Sequence, residues 1–462
     1  MNKSTLLACI LLVCPSVWGH GAEIDRDGMT VVDGKRTFIL GLYENVEDES
    51  FAQEVARAGF NLVRAKPSKE SLDLAHAHGL QCWIPLSGIA VSSAEEEARL
   101  QSLVNSFKQH PALAVWEGPD ETLWNVWWRR WNQAISRWNV VEGAMKKVDK
   151  QSSDYEELKN LYDTWRRYRH SARYAQAEEV ENRLRSLLGL PPADGKLSEW
   201  NKHLDPLFEQ LRRGTRIVRK TDPHHVIWFN HAPRNSMKDL KRFGKVADVV
   251  GCDIYPVPFG PNVGHSDLAE RNLACVGRYT QRMAQSAPTK PVWMVLQGFG
   301  WDDIGEGTRD TPRPRPTYDQ TRFMAYDAIV NGARGILYWG TFAIEKDSQL
   351  WADIKKVISE LSELQLFLTA EDATNRVRLE MHASSGSGEK GIVLLAKNVE
   401  RRWAFFVVNE ADHPIAFDIS GLSHLNGRSL NVLDEPETLE VKDGRITYGL
   451  PARSVSVLLA ED

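Results

Sequence analysis

Leu113-Ala114-Val115-Trp116-Glu117-Gly118-Pro119-Asp120-Glu121 is the stretch on which the reading of the fold turns. It opens with a run that is apolar on both faces and breaks at Gly118-Pro119 onto two adjacent carboxylates. A strand apolar on both faces must be covered on both sides, as in a parallel sheet wrapped by helices. Seven more such runs occur, at 38–43, 61–64 and 81–86 before it and at 226–230, 249–253, 292–297 and 335–339 after it. Helix-favouring sequence follows each of them. Eight such units predict an α/β fold, a closed (β/α)8 TIM barrel. An open doubly wound sheet is the weaker alternative, because no Gly-rich phosphate loop accompanies these strands.

The spacing breaks once, between the fourth and fifth strands. Residues 122–190 are charged and helix-favouring, with almost no Gly or Pro. A helical insertion over about 122–205 is expected on the loop after the fourth strand. Active sites of such barrels lie on that face, so the insertion should border the site or cover it. From about residue 371 to 462 short alternating runs separated by turn residues predict a small antiparallel β-sandwich. The barrel is expected over 23–370.

The N-terminus reads as an export signal over residues 1–22. Lys3 precedes an apolar run at 6–13 that is too short to span a bilayer, and small residues follow at Gly19, Gly21 and Ala22. A secreted or periplasmic protein is expected. A lipoprotein reading centred on Cys14 is weaker, because Val13 is larger than the residue expected before a lipidated cysteine. No later segment is apolar enough to cross a membrane. Beyond the leader, Cys82, Cys252 and Cys275 form an odd set without metal spacing, which suggests buried thiols. The formal net charge of −5 offers no basic face for nucleic acid. The 16 Trp are too many to leave exposed. Most belong in a core, and some would suit stacking against sugar rings.

Candidate chemistry collects at the C-terminal ends of the strands. Asp120 and Glu121 follow the fourth strand. Adjacent carboxylates in a barrel mouth repel, and one should have its pKa raised, as a general acid requires. The bland alternative is a solvated helix start. Asp253 ends the sixth strand, with Tyr255 two residues on, and could instead cap a turn. Gln297 ends the seventh. It could hydrogen-bond a hydroxyl, orient a water, or merely satisfy loop backbone. Trp301 follows it. Trp339 ends the eighth strand, as a sugar-stacking floor or a barrel plug. Glu44, Arg64 and Asn230 with His231 end other strands as weaker candidates. Trp124, Trp127, Trp128 and Trp131 recur at helical spacing and read first as a packed helix face. No HExxH, GxSxG, P-loop or Cys/His metal pattern occurs, so no metal or cofactor is expected.

Four segments within residues 30–370 carry a resemblance: 32–43, 58–64, 116–121 and 332–339. In order and spacing they resemble the entry hairpin and first strand, the second strand, the fourth-strand motif and the eighth strand of glycoside hydrolase clan A. These are (β/α)8 retaining glycosidases. The resemblance implies Glu121 as acid/base and a poly- or oligosaccharide substrate. Two departures stand out. Asp120 replaces the usual Asn, and Gln297 stands where the family places its nucleophilic Glu. Three mechanisms then remain. Asp253 or Asp302 could activate water opposite Glu121, giving inversion. The substrate's own 2-acetamido group could attack, as in the substrate-assisted hexosaminidases and chitinases that Asp120-Glu121 also resembles, with Tyr255 and Trp339 in support. Or the barrel only binds glycan. The sugar, the linkage and the oligomeric state are open.

Overall fold

A computed structural model describes residues 21–258, 272–305, 314–382 and 391–460. Residues 1–20 of the export signal expected over 1–22 lie outside the described residues. Ala22 is already buried and pairs with Val32 in a small antiparallel hairpin sheet against the barrel.

Eight parallel strands close into a barrel. They are Ile39–Asn45, Leu62–Arg64, Gln81–Pro85, Leu113–Glu117, Val226–His231, Val249–Ile254, Val292–Gln297 and Ala333–Trp339. Helices α1 (Glu49–Ala58), α2 (Lys69–Ala77) and α3 (Ala94–Phe107) follow the first three. The fourth strand leads into α4 (Thr122–Met145), α5 (Tyr155–His170) and α6 (Tyr174–Leu187), then into α7 (Leu204–Thr221). Helices α8 (Met237–Phe243), α9 (Cys275–Ser286), α10 (Tyr318–Val330) and α11 (Gln349–Glu363) follow the last four strands. Local chemistry sets the helix starts. Ser93 with Glu96 and Thr317 with Gln320 form capping boxes at α3 and α10, so the first orphan N–H groups are satisfied reciprocally.

The interior is plugged by aromatics. Trp83 meets Trp228 edge-on at 5.7 Å, and Trp228 lies 5.5 Å from Trp293. Glycine makes room for them. A Cβ at Gly251 would lie 2.0 Å from the Trp293 carbonyl oxygen. On the fourth strand Trp116 points outward and donates its indole N–H to Asp222 at 2.7 Å. By strand alternation Val115 and Glu117 then point inward.

Helices α4–α6 build their own core around Trp138, Leu158, Trp165 and Leu184. Arg169 lies between the rings of Trp138 and Trp165, at 4.1 and 4.3 Å. The tryptophans of α4 form a continuous run. Trp131 packs on Trp138 within this core and stacks on Trp127 at 5.1 Å, Trp127 continues to Trp124 and Trp128, and Trp128 stays 42% exposed. Helix α7 rests on the loop after the third strand so closely that a Cβ at Gly214 would fall 1.7 Å from the Ile89 carbonyl oxygen. Gly214→Ala is therefore expected to cost at least about 2 kcal/mol. Gly143→Ala, on α4 with nothing within 4 Å, should be neutral or stabilising by up to about 1 kcal/mol. Denaturant unfolding of the two variants checks the contrast, and equal effects would refute the close contact.

The C-terminal residues form two antiparallel sheets. One has three strands (Arg378–Met381, Ile415–Ser420, Arg445–Leu450). The other has five (Ile392–Val399, Arg402–Asn409, Val455–Ala460, Ser429–Val432, Thr438–Glu440). The strand Arg402–Asn409 serves two cores by alternation. Trp403, Phe405 and Val407 face the sandwich, while Ala404, Phe406 and Val408 join the barrel core. Its apolar run thus reflects burial on both faces.

Cys82, Cys252 and Cys275 are all buried, and burial pushes the Cys82 thiol up to about 12. Among the described residues no cluster of His, Cys, Asp or Glu could hold a metal ion, and no helix is long and apolar enough to cross a membrane.

Candidate active site

A cleft of about 620 Å³ opens at the C-terminal mouth of the barrel. Tyr43, Glu44, Arg64, Glu117, Asp120, Trp339 and Phe342 are among its lining residues.

Glu117 forms the floor. It is 3% exposed and receives the Trp83 indole N–H on Oε2 at 3.1 Å, with the Tyr43 hydroxyl on Oε1. Burial, followed by the charge of Asp120, pushes its carboxyl well above the usual range. Sequence reasoning passed over Glu117. The signal was available, since it is an acidic residue at an inward position of an apolar strand.

Asp120 is open to solvent inside the cleft but enclosed by protein on its other sides. The enclosure raises its pKa. The Asn230 amide, donating at 2.8 Å, and the charge of Arg64 oppose that rise. Glu121 caps α4 with a left-handed backbone, φ 46°, and donates its backbone N–H to the Asn230 carbonyl at 3.2 Å. That conformation is uncommon for a residue with a Cβ, and such outliers concentrate at functional sites. Glu121 does not line the cleft, and its side chain is in hydrogen-bond contact with Asp253. Burial, then the charge of Asp120, raises Asp253 to about 7, against the hydrogen bonds from Glu121 and Asn230. Asn230 ties the group together, with its Nδ2 2.8 Å from Asp120 and 3.5 Å from Asp253.

Tyr255 and Trp339 stack at 5.4 Å with their planes 19° apart, and Phe342 meets Trp339 edge-on at 5.4 Å. Trp339 and the 55% exposed Phe342 give the cleft an aromatic wall. No sequence signal marked Phe342, which sits on a short 3-10 turn after the eighth strand. Tyr255 is buried behind Trp339, and burial raises its pKa well above the usual value.

The remaining expected residues divide. Arg64 and Glu44 line the cleft. Glu44 is held by Lys346 and by the Thr341 hydroxyl, both at 2.7 Å. Trp301 is buried, edge-on to Tyr255 and Phe299, and does not line the cleft. His231 is 1% exposed, and burial lowers it to about 4, so it is neutral. Asp302 is exposed. Gln297, expected to meet a hydroxyl or a water or else to satisfy loop backbone, is fully buried and does the last of these. Its Oε1 accepts from the Val257 N–H at 2.8 Å, and its Nε2 donates to the Val257 and Phe299 carbonyls at 2.7 and 3.0 Å. Its amide joins two loops and leaves no donor for a substrate.

A closed parallel barrel with carboxylates and an aromatic wall at its C-terminal mouth defines a glycoside hydrolase of the clan A type. Residues 92–345 match the profile of glycoside hydrolase family 42, described as beta-galactosidase, and the chain belongs to that family. Solved structures repeat the fold at low identity. A protein described as a glycoside hydrolase is 13% identical with a TM-score of 0.54, over 96% of this chain and 97% of that one. A glycoside hydrolase family 5 protein from Bacteroides vulgatus ATCC 8482 is 12% identical with a TM-score of 0.52, over 96% and 93%. A beta-galactosidase from Bacillus circulans sp. alkalophilus is 8% identical with a TM-score of 0.51, over 92% and 99%. No curated protein matches the sequence.

Proposed function

We propose that this glycosidase is secreted or periplasmic and cleaves O-glycosidic bonds of a glycan with Glu121 as general acid. The observation that carries this is the contact of Glu121 with the buried Asp253, whose carboxyl burial raises to about 7. A carboxyl that keeps its proton near neutral pH can protonate a leaving oxygen. Asp253 is then the positioning partner of the acid. It does not suit the base of an inverting pair, because that geometry needs roughly 6.5–9.5 Å between carboxyls to admit water, and these two are in hydrogen-bond contact.

The second role falls to Asp120. The amide of Gln297 is saturated by backbone, both oxygens of Glu117 accept hydrogen bonds, and Glu44 is paired with Lys346. Asp120 is the cleft carboxylate left open to substrate. This favours a second reading, in which Asp120 orients a 2-acetamido group that attacks the anomeric carbon. Sugar release from galactosides, other neutral glycosides and N-acetylhexosaminides tests both. Release confined to N-acetylhexosaminides would select substrate assistance, and no release from any of them would reject the proposal.

The raised Asp253 carboxyl also sets a pH limb. As pH rises through about 7 Asp253 loses its proton and its contact with Glu121 changes, so kcat/KM should fall on the alkaline side. Stability should follow the same sign. A carboxyl raised above its unfolded value near 4 contributes stability at low pH that is lost as pH climbs through about 7. Asp253→Asn removes that titration and should move the alkaline limb. An unmoved limb in pH–rate profiles would detach Asp253 from the acid.

A further inference from the structure

A second groove, of about 590 Å³, runs between α4 and α7 and shares Ser87, Pro119 and Asp120 with the cleft. We propose that this groove binds an anionic sugar residue, one carrying a carboxylate or a sulfate ester, in the same glycan chain whose bond is cleaved beside Asp120. The proposal rests on the hydrolase reading above and names its substrate class.

Charge carries the argument. Arg129, Arg130 and His203 line the groove, and among the described residues Asp120, at its junction with the cleft, is the only carboxylate residue lining it. Two largely buried arginines of the insertion are each neutralised by a carboxylate. Arg137 pairs with Glu181 at 3.3 Å and Arg169 with Glu142 at 2.9 Å. Arg129 and Arg130 make only neutral contacts among the described residues. Arg129 Nε donates to the Asn125 carbonyl at 3.2 Å. Arg130 donates from Nη1 to Gln133 Oε1 at 3.2 Å and from Nη2 to His203 Nε2 at 2.8 Å. A guanidinium cannot lose its proton, so both charges persist without a counter-charge. Gln133 and His203 hold the Arg130 guanidinium in place, which lowers the entropy lost on binding an anion. A planar guanidinium matches a carboxylate or sulfate oxygen pair with two hydrogen bonds. In a chain of net charge −5, two unpaired arginines one step from the catalytic carboxylates form a local cationic site. Val126 and Leu207 in the same walls offer apolar surface to a sugar ring.

Equilibrium binding of the intact protein tests this, with three polysaccharide probes: neutral β-galactan, polygalacturonate and a sulfated galactan. Tighter binding of an acidic probe than of the neutral one, weakened by salt and by at least about tenfold in Arg129→Gln/Arg130→Gln, is the expected result. Arg129→Lys/Arg130→Lys should retain part of it. The two acidic probes separate carboxylate from sulfate recognition. Equal binding of neutral and acidic polymers overturns the proposal. So does unchanged binding in the double variant, or equal binding of a single-stranded DNA oligonucleotide. If the double variant fails to fold, the exposed Arg129→Gln alone decides, by the same weakening or its absence. Binding is read without turnover, so a lack of hydrolysis would defeat the earlier reading and leave this test standing.

Discussion

Glu121→Gln should lower kcat/KM on alkyl glycosides by about 10²–10⁴-fold, the usual contribution of a positioned general acid. Glycosides with strongly activated aryl leaving groups should lose far less, because a leaving group that departs as a stable anion needs no proton. The contrast isolates proton donation from binding, since the substitution keeps the shape of the side chain. It also changes the contact with Asp253. An amide can donate to a carboxylate, so Asp253 would ionise at lower pH than in the parent protein. Measuring kcat/KM across a series of leaving groups decides the matter. A uniform loss across the series would remove Glu121 from the role of acid and make it a structural cap of α4.

Gln297→Glu places a carboxylate where the sequence resemblance leads one to expect a nucleophile, yet it should yield no gain in activity and a loss of about 2–5 kcal/mol in stability. The reason is local. Gln297 is fully buried and gives two hydrogen bonds to the Val257 and Phe299 carbonyls. An ionised Glu has no proton for either, and its oxygen would face two carbonyl oxygens in a fully buried site. The Val257 N–H bond can survive, which limits the damage. The new carboxyl would titrate well above its unfolded value, so the penalty should be smallest at low pH and grow as pH rises. Thermal unfolding of parent and variant from acid to neutral pH checks both the size and the sign. A variant equally stable at neutral pH and newly active would mean that the Gln297 site can face substrate.

The sequence carried the barrel because its strands are buried on both faces, and unbroken apolar runs such as Val115-Trp116 and Val292–Leu296 need no partner to be recognised. The position of Asp120 and Glu121 was legible for the same reason, since the break at Gly118-Pro119 marks where a strand ends at the mouth. Strand ends were harder. The first strand runs on to Asn45, past the aromatic that closes its apolar run. Glu117 was within reach of strand alternation but hidden by its place in a hydrophobic segment. The engagement of Gln297 with Val257, forty residues away, could not be read, because it depends on how two loops meet. The contact between Glu121 and Asp253 lay beyond reach likewise. It joins Glu121, whose backbone is left-handed, to Asp253 on the sixth strand, more than a hundred residues away.

The strand Arg402–Asn409 has a consequence for how such a protein can evolve. With Phe406 and Val408 built into the barrel core and Phe405 and Val407 into the sandwich, neither half ends in a surface suited to water. Arg322 of α10 adds a hydrogen bond to the Val455 carbonyl across the same seam, at 3.0 Å. A recombination event that exchanged the C-terminal segment for an unrelated module would strip an apolar patch bare on each piece. The two parts are therefore constrained to be inherited together, and divergence in one must be matched by side chains in the other.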